Sequence, residues 1–279
     1  MSFSWATFSG EGKVNFNQAE VDKNSWMDFS SVTVKNPRKI RFENVYLGRT
    51  SFYQTDIEEF TFKNVKFAKT KDRFINRERL ADETWNDLVP KEKRRTYDKN
   101  FYSHVEILYR QLKRNFEEQR DYARAGDFHY GEMEMRRKRE TLENGKRFTK
   151  IPSLKYFSLI SLYKLFSGYG EKWYQALISL LALLALFASL NILWIEPQTK
   201  DVNVEPKEKI IWRWYASPPW EKFGNSLLYT FKIMTLQRDF DFKPIKGVWL
   251  GRAMVSAQFL IGPTIIALMI LAIRRQFRR

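Results

Sequence analysis

Two stretches of this chain carry no charge over a length that few folds accommodate: Ala176 to Ile195, 20 residues, and Ala253 to Ile273, 21 residues. At 1.5 Å of rise per residue, each matches the roughly 20 residues needed to cross a ~30 Å hydrocarbon core. Both are predicted to be transmembrane helices. Neither reads as a cleaved signal peptide, because both lie deep in the chain and "MSFSWATFSGEGK" has no basic-then-apolar opening. The chain is 44% hydrophobic and 29% charged, so its apolar and charged characters must occupy different segments.

Lysine and arginine near the span ends predict the orientation. Met135 to Lys172 holds ten basic and three acidic residues, and Arg274, Arg275, Arg278 and Arg279 follow the second span. The connecting segment from Glu196 to Lys222 is balanced, with five of each sign. Both termini are therefore expected on the cytoplasmic side. The formal charge of +16 finds its explanation at the membrane, which removes most support for a nucleic-acid partner. Without cysteine there is no disulfide, thiolate metal site or thiol nucleophile, and His104 and His129 read as structural residues of a polar helical stretch.

Between Ile40 and Phe67 the apolar residues recur every five positions. Phe42, Leu47, Phe52, Ile57, Phe62 and Phe67 form one row, and Ile40, Val45, Thr50, Thr55, Phe60 and Val65, each two positions earlier, form another. Upstream the same spacing gives Phe16, Val21 and Trp26 with Val14, Ala19 and Asn24, displaced by one residue, and Pro37 marks a break. A short repeat cannot bury its own apolar face, whereas stacked repeats share a continuous core. An antiparallel sheet would explain the alternation in "FTFKNVKF" but not both rows. These residues resemble a pentapeptide-repeat protein. The resemblance implies a right-handed square β-helix with four pentads per coil, about three coils fitting residues 6 to 67. Residues 1–70 hold ten basic and eight acidic side chains, which argues against mimicry of DNA by an acidic face.

Residues 71–100 read as a polar connector interrupted by Pro90. From Phe101 the period becomes helical, through Val105, Leu108, Tyr109, Leu112 and Phe116, and a second helix follows with Tyr122, Ala125, Phe128, His129 and Met133. Asp121 is placed to cap that helix. "NFEEQRDYARAG" is similar to part of a tetratricopeptide repeat, and a single hairpin of this kind reads as a packing or assembly element. Arg136, Arg137, Lys138 and Arg139, with Arg274 and Arg275, are candidate juxtamembrane contacts for anionic lipid; a solvated helix face is the alternative for the first four. After Pro152, lysines at 155 and 164 interrupt an aromatic-rich stretch that reads as an interfacial helix, with Gly168 and Gly170 allowing a bend into the first span.

Between the spans, Phe223 to Leu236 is apolar and helical in pattern but too short to cross. A half-length helix followed by a polar loop is the plan of a re-entrant pore loop. From Ala176 onward the chain resembles the two-transmembrane pore domain of tetrameric potassium-type channels. Its overall order resembles bacterial pentapeptide-repeat membrane proteins that carry an ion-channel domain. Thr235 and Leu236 match that family's pore-helix ending, but Gln237, Arg238, Asp239 and Phe240 replace its Gly-Tyr-Gly-Asp. A ring of backbone carbonyls needs conformations that glycine adopts cheaply, so ordinary potassium selectivity is not expected. Rings of Arg238 or of Asp239 and Asp241 are the other way to build a filter, and a salt bridge among these residues is a third arrangement. Gly262 and Pro263 fall where the family commonly has a gating hinge; a static kink is the alternative.

The expected fold is a membrane protein with four parts. These are a pentapeptide-repeat β-helix (1–70), a connector and helical hairpin (71–149), an interfacial amphipathic helix (150–173) and a two-helix transmembrane pore domain (174–279). The pore domain places spans at 176–195 and 253–273, a pore helix at 223–236 and a filter-like loop at 235–242. The expected function is an oligomeric ion channel, weakly selective or anion-favouring, gated by or assembled through its cytoplasmic part. A membrane-anchored scaffold or sensor that has lost conduction is the alternative. Expected partners are inorganic ions, membrane lipids and further copies of the chain, four by resemblance, with a cytoplasmic protein or small molecule of unknown identity as trigger. The resemblance implies a bacterial inner membrane. No enzyme activity, cofactor or metal site is expected, since no nucleophile-base pair, metal-ligand cluster or phosphate-binding glycine loop is visible.

Overall fold

The computed structural model describes the chain except for residues 20, 23–24, 73–74, 148–157, 194, 198–216, 238–241, 245–248 and 278–279. It divides into two units, Met1–Leu162 and Tyr163–Phe277.

The first unit opens with seven short strands: β1 (Thr7–Phe8), β2 (Val14–Asn17), β3 (Met27–Asp28), β4 (Thr33–Val34), β5 (Ile40–Glu43), β6 (Thr50–Ser51) and β7 (Thr61–Lys63). Their pairings are parallel: β1 with β4, β3 with β6, and β2 with β5, which also pairs β7. Phe16 stands opposite Phe42, and Phe42 opposite Phe62. All twelve positions of the two five-residue rows from 40 to 67 are buried, none more than 4% exposed. Phenylalanine rings form two stacked columns, Phe3 on Phe29 on Phe52 and Phe16 on Phe42 on Phe62, at centroid distances of 4.8 to 5.8 Å. Edge-to-face contacts between Phe16 and Phe29, Phe29 and Phe42, and Phe42 and Phe52 lock the columns together.

Upstream of Ile40 the structure corrects the predicted rows. Met27 and Phe29 are buried where Asn24 and Trp26 were expected; Trp26 is half-buried, with Lys93 over its ring, and Asn24 lies outside the described residues. The inward residues there are Phe3, Phe8, Phe16, Val21, Phe29, Val34 and Phe42, which advance by alternating steps of five and eight. Three-residue insertions therefore lengthen the early turns and produce the apparent one-residue displacement. Left-handed residues stack at two corners, Trp5, Ser31 and Gln54 at one and Gln18, Asn44 and Asn64 at the other. At the second corner, Asn64 Nδ2 donates to Asn44 Oδ1 at 2.7 Å and Asn44 Nδ2 to Asn17 Oδ1 at 3.2 Å. Asparagine tolerates this backbone region better than most residues and adds a side-chain ladder.

The expected polar connector is ordered. Strands β8 (Ala68–Asp72) and β9 (Ile75–Arg79) pair antiparallel, and Leu80 and Trp85 of the following 3-10 turn and short helix α1 (Trp85–Leu88) are buried. Arg95 stacks against Trp85 and Tyr53 and reaches Asp82 Oδ1 at 2.9 Å, with Ser30 Oγ and Ser51 Oγ accepting from its other nitrogen. Helix α2 (Lys99–Glu118) is capped by Asp98, which accepts from Phe101 N at 2.7 Å. Asp121 caps α3 (Tyr122–Arg147) in the same way through Arg124 N. Phe116 stacks on Phe62 and Phe128 meets Phe67 edge-on, so this helical pair continues the aromatic core at the C-terminal end of the strand stack. Gly131 is required where α3 crosses α2: a Cβ there would lie 2.4 Å from the Tyr109 ring.

The second unit is helical. Helix α4 (Leu159–Ser167), which enters this unit at Tyr163, leads into a turn in which Gly168, Tyr169 and Gly170 are all left-handed, and α5 (Trp173–Asn191) follows. Strand β10 (Ile195–Pro197), helix α6 (Pro219–Met234), strand β11 (Phe242–Pro244) and helix α7 (Trp249–Phe277) complete it. Helices α5 and α7 are long and apolar enough to cross a membrane, yet only 17% and 22% of their most apolar windows are buried. A soluble core helix would be mostly buried. Here Ile178, Leu181, Leu186, Leu260, Ile270 and Leu271 stand exposed.

Candidate pore loop

Helix α6 starts with Pro219 in its first turn, where the missing N–H costs nothing, and buries Ser226, Tyr229, Thr230, Ile233 and Met234 along one side. Its 16 residues make about 24 Å of helix, less than the ~30 Å of a bilayer core. The helix stops in a Schellman turn. Gln237 N donates to Lys232 O at 2.9 Å and Leu236 N to Ile233 O at 3.0 Å, with Leu236 left-handed at φ 58°. Leucine in place of glycine there costs about 1–2 kcal/mol. Thr235 Oγ1 donates to Phe231 O at 2.8 Å, so Thr235, Leu236 and Gln237 form the closing turn of the helix. Arg238, Asp239, Phe240 and Asp241 of the predicted filter lie outside the described residues.

The end of α6 is anchored beside α7. A Cβ on Gly262 would lie 2.7 Å from Met234 Cβ and 2.8 Å from its Cα, so only glycine admits this approach. Gly262 falls near the midpoint of the apolar stretch Trp249–Arg274, about 20 Å along the helix from Trp249. Pro263 follows inside the helix, whose assignment continues through it to Phe277. One turn back from Met234, a cluster of neutral polar groups ties three helices together. Asn191 of α5 donates to Thr230 Oγ1 of α6 at 2.9 Å and to Gln258 Oε1 of α7 at 3.2 Å, and Gln258 Nε2 returns a bond to Asn191 Oδ1 at 3.1 Å. Ser226 Oγ donates to Ala188 O at 2.5 Å. All four side chains are buried.

After the turn the chain comes back. Ile195, Glu196 and Pro197, just beyond the end of α5, pair antiparallel with Pro244, Lys243 and Phe242, just before α7 begins. The segment between these two strands, α6 included, therefore leaves one end of the unit and returns to it, and the C-terminal end of α6 lies against the middle of α7.

No family model matches this chain, and no curated protein or solved structure matches it. The predicted lipid-contact residues on α3 have carboxylate neighbours in their own unit. Arg136 lies 3.8 Å from Glu140, Arg137 pairs with Glu134 at 2.5 Å, Lys138 with Glu83 at 3.2 Å and Arg139 with Glu106 at 2.8 Å. Burial raises the Glu83 pKa, but Arg77 at 2.8 Å, Lys138 and the Tyr109 hydroxyl outweigh it and hold the carboxyl below its usual range. Glu132 behaves likewise: burial opposes ionisation, and His129, Arg110 and Lys113 bring its pKa down to about 2. Arg274 lies in α7 near its C-terminal end, and the Arg275 side chain lies outside the described residues. The polar cluster around Asn191 and the close approach at Gly262 were not predicted. Their signals were two amide side chains in otherwise apolar helices and a glycine assigned only a hinge role.

Proposed function

We propose that this chain is one subunit of an oligomeric ion channel with a weakly selective or anion-favouring pore. The proposal places the first unit on the cytoplasmic side of a bacterial inner membrane, with both termini cytoplasmic and residues 1–70 forming a pentapeptide-repeat β-helix. The parallel ladders, the buried five-residue rows and the stacked corners support the β-helix. The observation that carries the pore is the geometry of α6: a helix too short to cross that ends against the middle of a crossing helix, with both flanks returning to one end. Backbone at membrane depth is tolerated only against protein or water. Thr235, Leu236 and Gln237 are exposed in a single subunit, and a ring of copies around a water-filled path satisfies them.

Anion preference draws on the charge of the loop region. Phe223 to Arg252 holds five basic residues against Asp239 and Asp241, an excess that attracts anions where field lines are focused. Purified protein in liposomes tests the reading, with ion flux and oligomer number measured on one preparation. Chloride-biased or unselective flux from an oligomer is the expected result. A stable oligomer that passes no ion would leave the membrane-anchored scaffold. Strong potassium selectivity, or unchanged permeation with Arg238→Ala, would remove the proposed filter.

A further inference from the structure

We propose that the corner where the first two turns of the strand stack carry their three-residue insertions is a binding site for a small organic phosphate, an inference independent of the pore reading. The inward residues step by eight from Phe8 to Phe16 and from Val34 to Phe42, but by five from Ile57 to Phe62. Strand β1 pairs with β4 and β2 with β5, so the extra residues of both turns leave and rejoin the stack at matching positions. The two loops, residues 9–13 and 35–39, therefore lie side by side at one corner. Lys39 clips them together, its ammonium donating to the Glu11 carbonyl and, at 3.0 Å, to Glu11 Oε2. Between the loops is a cleft of about 320 Å³. Small-molecule sites span ~300–1,000 Å³.

The lining is suited to an anion. Ser9, Gly10, Gly12, Lys13 and Asn36 all border the cleft. Glu11 balances Lys39, whereas Lys13 has no carboxylate partner among the described residues. Asn36 stands at the N-cap of the 3-10 turn Pro37–Lys39, yet its side chain makes no capping bond, which leaves the amide free to donate to a ligand. The glycines add an independent reason. Neither has a left-handed backbone; a Cβ on Gly12 would meet no atom within 4 Å, and one on Gly10 only Gly12 N at 3.9 Å. The fold thus requires glycine at neither position. A ligand does, because bare backbone lets an anion approach the amide N–H groups closely. Phe8, Val14 and Val34 complete the wall, so the ligand is a phosphate ester with an apolar body rather than free phosphate. No phosphate-loop motif marks the site in the sequence, because half of it comes from the next turn of the stack.

Calorimetric titration of the whole chain in detergent with phenyl phosphate, in phosphate-free buffer, tests the site. Saturable binding is expected, and inorganic phosphate should bind more weakly. Lys13→Gln removes a charge-assisted contact and should weaken binding about tenfold or more. Lys35→Gln, outside the lining, should leave it unchanged. Gly12→Val should abolish binding while the first unit melts at the wild-type temperature, because the added side chain enters open space. The absence of saturable binding to the wild type overturns the inference. Equal weakening by Lys13→Gln and Lys35→Gln overturns it too, since that would be a general attraction to basic surface. Binding that survives Gly12→Val, or a lowered melting temperature in that variant, likewise removes the site.

Discussion

The main buried polar clusters of the two units differ in charge, although Glu171 of the second unit is buried as well. In the first, the buried partners are charged: Arg77 with Glu83 at 2.8 Å, both nearly fully buried, and Arg95 with Asp82 at 2.9 Å, with Tyr109 and serine hydroxyls filling the remaining valences. In the second, the described buried cluster is neutral: Asn191, Ser226, Thr230 and Gln258. A soluble unit can set an ion pair in a protein interior when several hydrogen bonds complete it. A helix assembly surrounded by hydrocarbon gains interhelical specificity from amides and hydroxyls at a smaller desolvation cost. The difference is what the proposed function, with one unit in water and the other in a membrane, leads one to expect.

The largest expected effect tests the charged side of this contrast. Arg77→Met leaves Glu83 buried with less compensation and should cost about 3 kcal/mol or more, read as a lowered thermal midpoint of the first unit. Adding Glu83→Leu should recover part of that loss; a double variant no better than the single one would mean the pair is net stabilising. Next comes Gly262→Ala, whose methyl group meets Met234 backbone and side chain. Overpacking of this kind costs about 1–3 kcal/mol and should displace α6, so ion flux should fall while the first unit melts unchanged. Gln258→Leu removes one corner of the neutral cluster and should cost roughly 0.6 to 2 kcal/mol, visible as reduced oligomer survival in detergent. A loss as large as that of Arg77→Met would break the proposed contrast.

The smallest effect is one of pH. The Glu132 carboxyl is held at about 2 in the folded chain against 4.5 for the free group. Its contribution is therefore complete above about pH 4.5 and is lost as pH falls toward 2. Glu132→Gln should flatten that part of the first unit's stability curve and leave the second unit's acid response unchanged, as pH-dependent melting would report.

How much of this was legible in the sequence depended on whether the determinants were local. The rows from Ile40 to Phe67 were readable because no insertion interrupts them, and all twelve positions are buried. Phe3, Phe8, Phe29 and Val34 escaped because three-residue insertions turn the step of five into alternating fives and eights. The connector read as polar because Asp82 and Arg95 are charged, yet both are used inside the unit, a pairing that only the fold brings together. A short apolar helix between the two long ones was visible from its length and flanks. Its depth was not, because that depends on Met234 meeting Gly262 and on Asn191 reaching Gln258, 67 positions away. The helix was expected to end at 236, close to the observed Met234, but the form of its closing turn had no signal, since a Schellman turn normally advertises itself with glycine and here uses Leu236.

The central claim is that α6 enters and leaves by one face of the membrane while α5 and α7 cross it. Single cysteines at Glu221, Trp249, Lys172 and Arg274, introduced one at a time into the cysteine-free chain and probed with an impermeant thiol reagent on sealed vesicles of known orientation, test this directly. Glu221→Cys and Trp249→Cys should label from one side, and Lys172→Cys and Arg274→Cys only from the other. Labelling of Glu221→Cys and Trp249→Cys from opposite sides would make α6 a crossing helix and contradict the re-entrant loop.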